Sequence, residues 1–231
     1  MNPSSPRSVW LIPAAIILAG LILAVAVFVI RVKTAHIPDN GKPTAVTPVT
    51  PDDHLIGNPQ APVMVVEYSD IDSEHGKALQ ATMQQLMTEY AAGGKVAWVY
   101  RHFPLTTVHP NSLRHALAAE CASSLGAADA FWRFIDLVNA GAPGSAQFDP
   151  KNYDSVVRQL GIDTTAFNEC VTSGKFAGRV RENNHNALEA GATGAPYTLI
   201  LIKNQDPIII HGALPYASMK QAIDKAISKV Q

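Results

Sequence analysis

The sequence predicts an α/β fold built from a strand–helix–strand unit and a strand–strand–helix unit, with a block of helices between them and one membrane-spanning helix in front. Three observations carry this. Four apolar runs, at 63–68, 96–100, 198–202 and 208–211, have the length and residue types of strands. Between the second and third run the apolar spacing is helical throughout. Residues 9–30 carry no charged side chain and are interrupted only by Pro13 and Gly20 among the helix breakers.

At 231 residues the chain has room for one domain and an appendage. A composition 47% apolar and 16% charged, with a net charge of −1, suits a folded domain and argues against a disordered or nucleic-acid-binding chain. The first eight residues form a short tail. As a helix, the 9–30 run is long enough for the hydrocarbon core of a bilayer, about 30 Å thick. A cleavable signal peptide has a shorter apolar region that ends at small residues. This one ends in Val-Phe-Val-Ile-Arg, so an uncleaved anchor with Trp10 at the interface is the expectation. Arg7 precedes the span, while Arg31 and Lys33 follow it. That balance by itself favours a cytoplasmic domain. Residues 31–52, rich in Pro and Thr, read as an extended tether. The domain proper is expected over 53–231.

In chain order, the first strand at 63–68 leads directly into a helix. Leu79, Met83, Leu86, Met87 and Tyr90 form its apolar stripe, and Gly93-Gly94 ends it. The second strand, 96–100, contains Trp98, a core residue. The helical block follows. Its stripes are Leu113, Ala116, Leu117 and Cys121; then Phe131, Trp132, Ile135 and Val138; then Tyr153, Val156, Val157 and Leu160. Phe167, Cys170 and Val171 mark a short helix, and Phe176, Val180, Ala187 and Leu188 a longer one. Asn204-Gln205-Asp206-Pro207 links the last two strands as a tight antiparallel turn, and His211 is expected near the core. Pro215 opens the final helix, with Tyr216, Met219, Ile223, Ile227 and Val230 on one side.

The most informative stretch is Glu67-Tyr68-Ser69-Asp70-Ile71-Asp72, followed at once by Ser73-Glu74-His75-Gly76. Ser73 is a good N-cap for the helix it precedes. A nucleophilic Ser73 activated by His75 is the sharper reading, but no third group is evident and the two need not face each other. Asp70, Asp72, Glu74 and His75 also admit a metal-cluster reading. Acids at a helix N-terminus more commonly just favour the helix dipole. Neither metal nor cofactor is expected.

Several stretches together resemble the DsbA-like thioredoxin-fold oxidoreductases. They are Asp53-His54-Leu55-Ile56-Gly57-Asn58-Pro59, the Glu67–Asp70 tetrapeptide, and Tyr100-Arg101-His102-Phe103-Pro104-Leu105 with His109-Pro110. Ala118-Ala119-Glu120-Cys121-Ala122, Phe167-Asn168-Glu169-Cys170 and Gly194-Ala195-Pro196 complete the set. The resemblance implies a thioredoxin-like fold with a helical insertion at about 109–191. It implies that Ser73 and Gly76 stand where the family carries Cys-x-x-Cys. Thiol–disulfide exchange needs an attacking thiolate and a resolving thiol. A serine hydroxyl and a glycine supply neither, so the chain looks like a redox enzyme without its redox centre. Returning cysteines to 73 and 76 is expected to restore exchange, because a helix N-terminus favours a thiolate.

The resemblance also implies a cis peptide before Pro196 and a peptide-docking ledge at Ala195, Pro196 and Tyr197. The two cysteines, Cys121 and Cys170, suggest a structural disulfide, with two free thiols as the alternative. A disulfide implies an oxidising compartment. With the family resemblance, this outweighs the flanking charges and places the domain on the extracytoplasmic side of the cell membrane, single-pass. The expected function is binding of extended or unfolded polypeptide, as a chaperone-like or accessory factor. The alternatives are an oxidoreductase that uses Cys121 and Cys170, and a purely structural envelope protein. Unfolded polypeptide and the membrane are the expected partners; nucleic acid is not.

Overall fold

In the computed structural model of the chain, residues 46–144 and 146–230 are described. The expected span at 9–30 and most of the tether lie outside them. Among the described residues, no helix is long and apolar enough to cross a membrane.

Five strands form one sheet in the order β1-β3-β2-β4-β5: β1 His54–Gly57, β2 Val63–Ser69, β3 Val96–His102, β4 Tyr197–Ile202 and β5 Ile208–His211. β2 runs parallel to β3 and antiparallel to β4, and the outer pairs β1–β3 and β4–β5 are antiparallel. All seven residues of β3 are buried, as are six of the seven in β2. A strand covered on both faces reads as a near-continuous apolar run, as Val96–Tyr100 does before Arg101 and His102.

The helices are α1 Glu74–Tyr90, α2 Ser112–Leu125, α3 Ala130–Gly141, α4 Tyr153–Gln159, α5 Thr164–Ser173, α6 Ala177–Glu189 and α7 Tyr216–Ser228. α6 covers the sheet face of Val66, Tyr68, Val99 and Leu199, where Ala187 and Ala190 join the core. Glu67 and Ser69 point to the opposite face by strand alternation, toward α1. Helices α2–α5 enclose a separate core of Phe131, Phe134, Tyr153, Val157 and Phe167. This is an α/β thioredoxin-like fold with a helical insertion, as the sequence predicts.

The structure differs from the sequence reading in detail. β1 is a fifth strand, where the sequence suggested only a lead-in; it pairs His54 through Gly57 with Tyr100 through Ala97. Four residues are too few to display an alternation, and the partner is distant in sequence. Leu113 and Leu188 sit on outer faces, 39% and 55% exposed, while Phe134 is fully buried. His211 is exposed and turns its ring edge to Tyr197 at 5.2 Å. The described end of the tether lies on the domain. Val46 and Val49 pack against the second core. Arg101 donates to the carbonyls of Thr47 and Pro48 and to both oxygens of Asp53.

Candidate functional site

The turn from β2 into α1 is organised by Asp70, which is 1% exposed. Its Oδ1 accepts from the Asp72 amide at 2.9 Å, and its Oδ2 accepts from the Leu105 amide at 2.8 Å. His109 Nδ1 lies 2.9 Å from the same Oδ2. The Asp70 carbonyl accepts from the Ser73 amide at 3.0 Å. Ser73 then caps α1: its φ and ψ of −72° and 127° are extended, and its Oγ accepts from the Gly76 amide at 3.3 Å. Capping is therefore what this hydroxyl does. Glu74 and His75 are exposed, whereas Gly76 is buried. The carboxylates do not converge on a common point. Among the described residues, no group of three or more His, Cys, Asp or Glu side chains is placed to hold a metal.

Gly76 is walled in. A Cβ there would lie 2.5 Å from the Asp70 carbonyl oxygen and 2.9 Å from Ser69 Oγ. Backbone does not yield cheaply, so a side chain at 76 requires the β2–α1 turn to shift. A cysteine at 76 therefore has to displace the Asp70 carbonyl, a demand that the sequence reading did not include.

The Asp72 carboxylate is buried directly before Ser73. Its Oδ1 approaches His115 Nε2 at 3.1 Å, but off-axis, so neither Asp72 oxygen nor that nitrogen makes a hydrogen bond. The other His115 nitrogen lies 2.6 Å from the Tyr153 hydroxyl. Each of the two buried acids before position 73 lies beside a histidine, Asp70 beside His109 and Asp72 beside His115. Beneath the turn, Glu67 is fully buried, and burial pushes its carboxyl up to about 7 against the opposing hydrogen bonds from Ser69 and Trp98.

The second half of the site is the loop before β4. The Ala195–Pro196 bond is cis. Tyr197 pairs with Tyr68, so the next step of the register brings Pro196 opposite Ser69, beside the β2–α1 turn. The Pro196 carbonyl accepts from Gly212 at 2.9 Å. Among the described residues, the backbone groups of Thr193, Gly194 and Ala195 make no hydrogen bond. Gly194 and Ala195 are half-buried, and a Cβ added at Gly194 meets nothing within 4 Å. Tyr197 does not belong to this ledge. Its side chain is buried, and its hydroxyl donates to the Ala190 carbonyl at 2.6 Å.

Cys121 and Cys170 are bonded, with Cα atoms 5.9 Å apart, and join α2 to α5 inside the helical block. Cys121 is 1% exposed. One further cluster was not legible in the sequence. Glu120 Oε1 receives His54 Nε2, His102 Nε2 and Arg179 Nε at 3.0, 3.1 and 3.1 Å. Despite burial, which raises it, the His102 and His54 contacts hold the Glu120 carboxyl far below the usual carboxylate range. Its four members come from β1, β3, α2 and α6, which only the folded chain brings together.

A family model described as thioredoxin matches residues 49–225. The chain belongs to the thioredoxin family. Among solved thioredoxin-fold structures, oxidised BdbD from Bacillus subtilis superposes with a TM-score of 0.68 at 19% identity, covering 81% of this chain and 100% of that one. Wolbachia pipientis alpha-DsbA1 gives 0.66 at 21% identity, covering 78% and 94%. At such identities the likeness is one of fold. The Na(+)/H(+) antiporter NhaA 3 of Salinispora tropica is 34% identical over 150 residues, 64% of this chain and 22% of the antiporter. NhaA 1 of Salinispora arenicola is 29% identical over 182 residues, 78% of this chain and 26% of the antiporter. The chain spans about a quarter of the length of these curated relatives.

Proposed function

We propose that this protein is a membrane-tethered, extracytoplasmic member of the thioredoxin family that binds extended polypeptide without exchanging thiols. The observation that carries the proposal is a contrast within one site. The thiol positions are closed, by a capping hydroxyl at Ser73 and a walled glycine at Gly76. The neighbouring ledge is open, with backbone at Thr193, Gly194 and Ala195 that has no hydrogen-bond partner among the described residues. An extended chain pairs with such a backbone by strand addition. A membrane tether is compatible with the matches to proteins named Na(+)/H(+) antiporters, in which a stretch of this kind is a minor part.

The test is titration of reduced, unfolded peptide against the full chain in detergent micelles, beside Gly194→Trp. A Cβ at 194 meets nothing within 4 Å, so a side chain there projects from the ledge, and circular dichroism reports whether the variant folds. Saturable binding by the wild type, lost in a variant with an unchanged circular-dichroism spectrum, is expected. No wild-type binding, or equal binding by the variant, favours a purely structural role.

A further inference from the structure

The end of the sheet opposite the candidate site gathers unpaired positive charge. β2 starts at this end with Val63 and runs seven residues, about 20 Å, to the turn that carries Ser73. The Val63 amide donates to the Lys95 carbonyl at 3.2 Å, and the Lys203 amide donates to the Pro62 carbonyl at 3.3 Å. Lys95 and Lys203 therefore flank the start of β2 on its two sides, two strand spacings apart, about 10 Å. The turn after Lys203 meets the C-terminus of α7, where Gln205 Nε2 donates to the Lys229 carbonyl at 2.9 Å. Lys225 lies one turn earlier on the same face of α7.

All four lysines are exposed, and none has a side-chain hydrogen bond or ion pair among the described residues. Acids of the neighbouring turns are engaged. Glu89 and Asp224 hold Lys220, and Asp206 has an interaction of its own. Elsewhere lysines serve the fold: Lys77 donates to the Ala142 and Ala146 carbonyls, and Lys175 lies over the Phe176 ring. The chain has 18 basic and 19 acidic side chains, so composition does not account for the concentration at this end. Ammonium groups spread across three strands and a helix end meet a plane of negative charge better than a single small anion.

We propose that this end of the domain docks on an anionic phospholipid surface through Lys95, Lys203, Lys225 and Lys229. Docked in this way, the domain turns the Ser73 turn and the ledge at 193–195 away from the bilayer, open to polypeptide in solution. Each lysine near such a surface contributes about fivefold in affinity, and the attraction fades within a Debye length, about 10 Å at 0.1 M salt.

The experiment is lysine footprinting of the full chain with lipid nanodiscs, the acetylation rate of each lysine being read by mass spectrometry. One set of discs is phosphatidylcholine, and the other is an equal mixture of phosphatidylcholine and phosphatidylglycerol. Retention of the chain by the neutral discs reports the membrane tether alone, so failure of the tether is distinct from failure of the docking. Acetylation of Lys95, Lys203, Lys225 and Lys229 slowed about fivefold or more by the anionic discs is expected, with Lys151 and Lys175 of the helical block unchanged. Salt at about 1 M, where the Debye length is about 3 Å, should abolish the difference. The double variant Lys203→Gln, Lys229→Gln changes only exposed side chains without partners among the described residues, and should lose most of the protection at Lys95 and Lys225. Equal rates with the two kinds of disc overturn the proposal. So does slowing that extends equally to Lys151 and Lys175, or protection that the double variant keeps in full.

Discussion

Replacing Glu67 by Gln is expected to stabilise the domain at neutral and alkaline pH and to leave it unchanged in acid. The Glu67 side chain is 0% exposed in the middle of β2. Its Oε2 accepts from Trp98 Nε1 at 3.0 Å, while Oε1 has no hydrogen-bond partner. The hydroxyl of Thr198, its neighbour across the strand pair, also has none. Burial therefore disfavours the ionised form and lifts the carboxyl from 4.5 to about 7. The folded state then holds this proton more tightly than the unfolded one. Its stabilising effect is complete below pH 4.5 and is lost as pH rises through about 7. At about 1.4 kcal/mol per pH unit, the loss amounts to about 3 kcal/mol. Glutamine keeps the shape and stays neutral, so it removes the dependence. The assay is urea unfolding of wild type and Glu67→Gln between pH 4 and 8, followed by circular dichroism. The wild-type minus variant difference isolates this carboxyl from every other titrating group. Near-equality at pH 4 and a variant about 3 kcal/mol more stable at pH 8 are expected. A difference that does not change with pH, or a variant less stable at pH 8, refutes the reasoning.

Two further outcomes follow from the closed thiol site and the remote disulfide. The double variant Ser73→Cys, Gly76→Cys should show no insulin reduction above the wild type and should lose about 1–3 kcal/mol of stability, as overpacked sites do. Reduction at rates well above wild type would contradict the wall seen at Gly76. Replacing Cys121 and Cys170 together by Ala removes a bridge across a sequence separation of 49 and should cost about 4 kcal/mol in the chain-entropy model. An unchanged urea midpoint would show that the bridge does not constrain the unfolded chain.

The parts of this molecule legible in its sequence were those written in local pattern. Ser73 before an apolar stripe reads as a cap, and it caps. The stripes of α1 and α4 face inward as their spacing implies. The hairpin across Asn204 forms between β4 and β5 as the turn residues suggest. What the sequence hid depends on distant partners or on close approach. The burial of Glu120 makes sense only once His54, His102 and Arg179 surround it. Asp72 looked like a helix-start acid because His115, 43 positions along the chain, comes beside it only when α2 folds back over the turn. Leu113 and Leu188 fit a helical stripe but fall on the outer edge of their helices, where periodicity alone does not assign the face. The wall at Gly76 was hidden for a further reason. It is set by the path of the Asp70 carbonyl, not by the type of any residue.

The central claim is that an open backbone ledge has outlived the thiol site. Its most direct measurement is amide hydrogen exchange at Gly194 and Ala195 in the full chain, with and without a saturating reduced, unfolded peptide. Their N–H groups have no partner among the described residues. Fast exchange in the free protein and marked protection with peptide bound are predicted. Protection already present in the free protein, or exchange that peptide leaves unchanged, would contradict the claim.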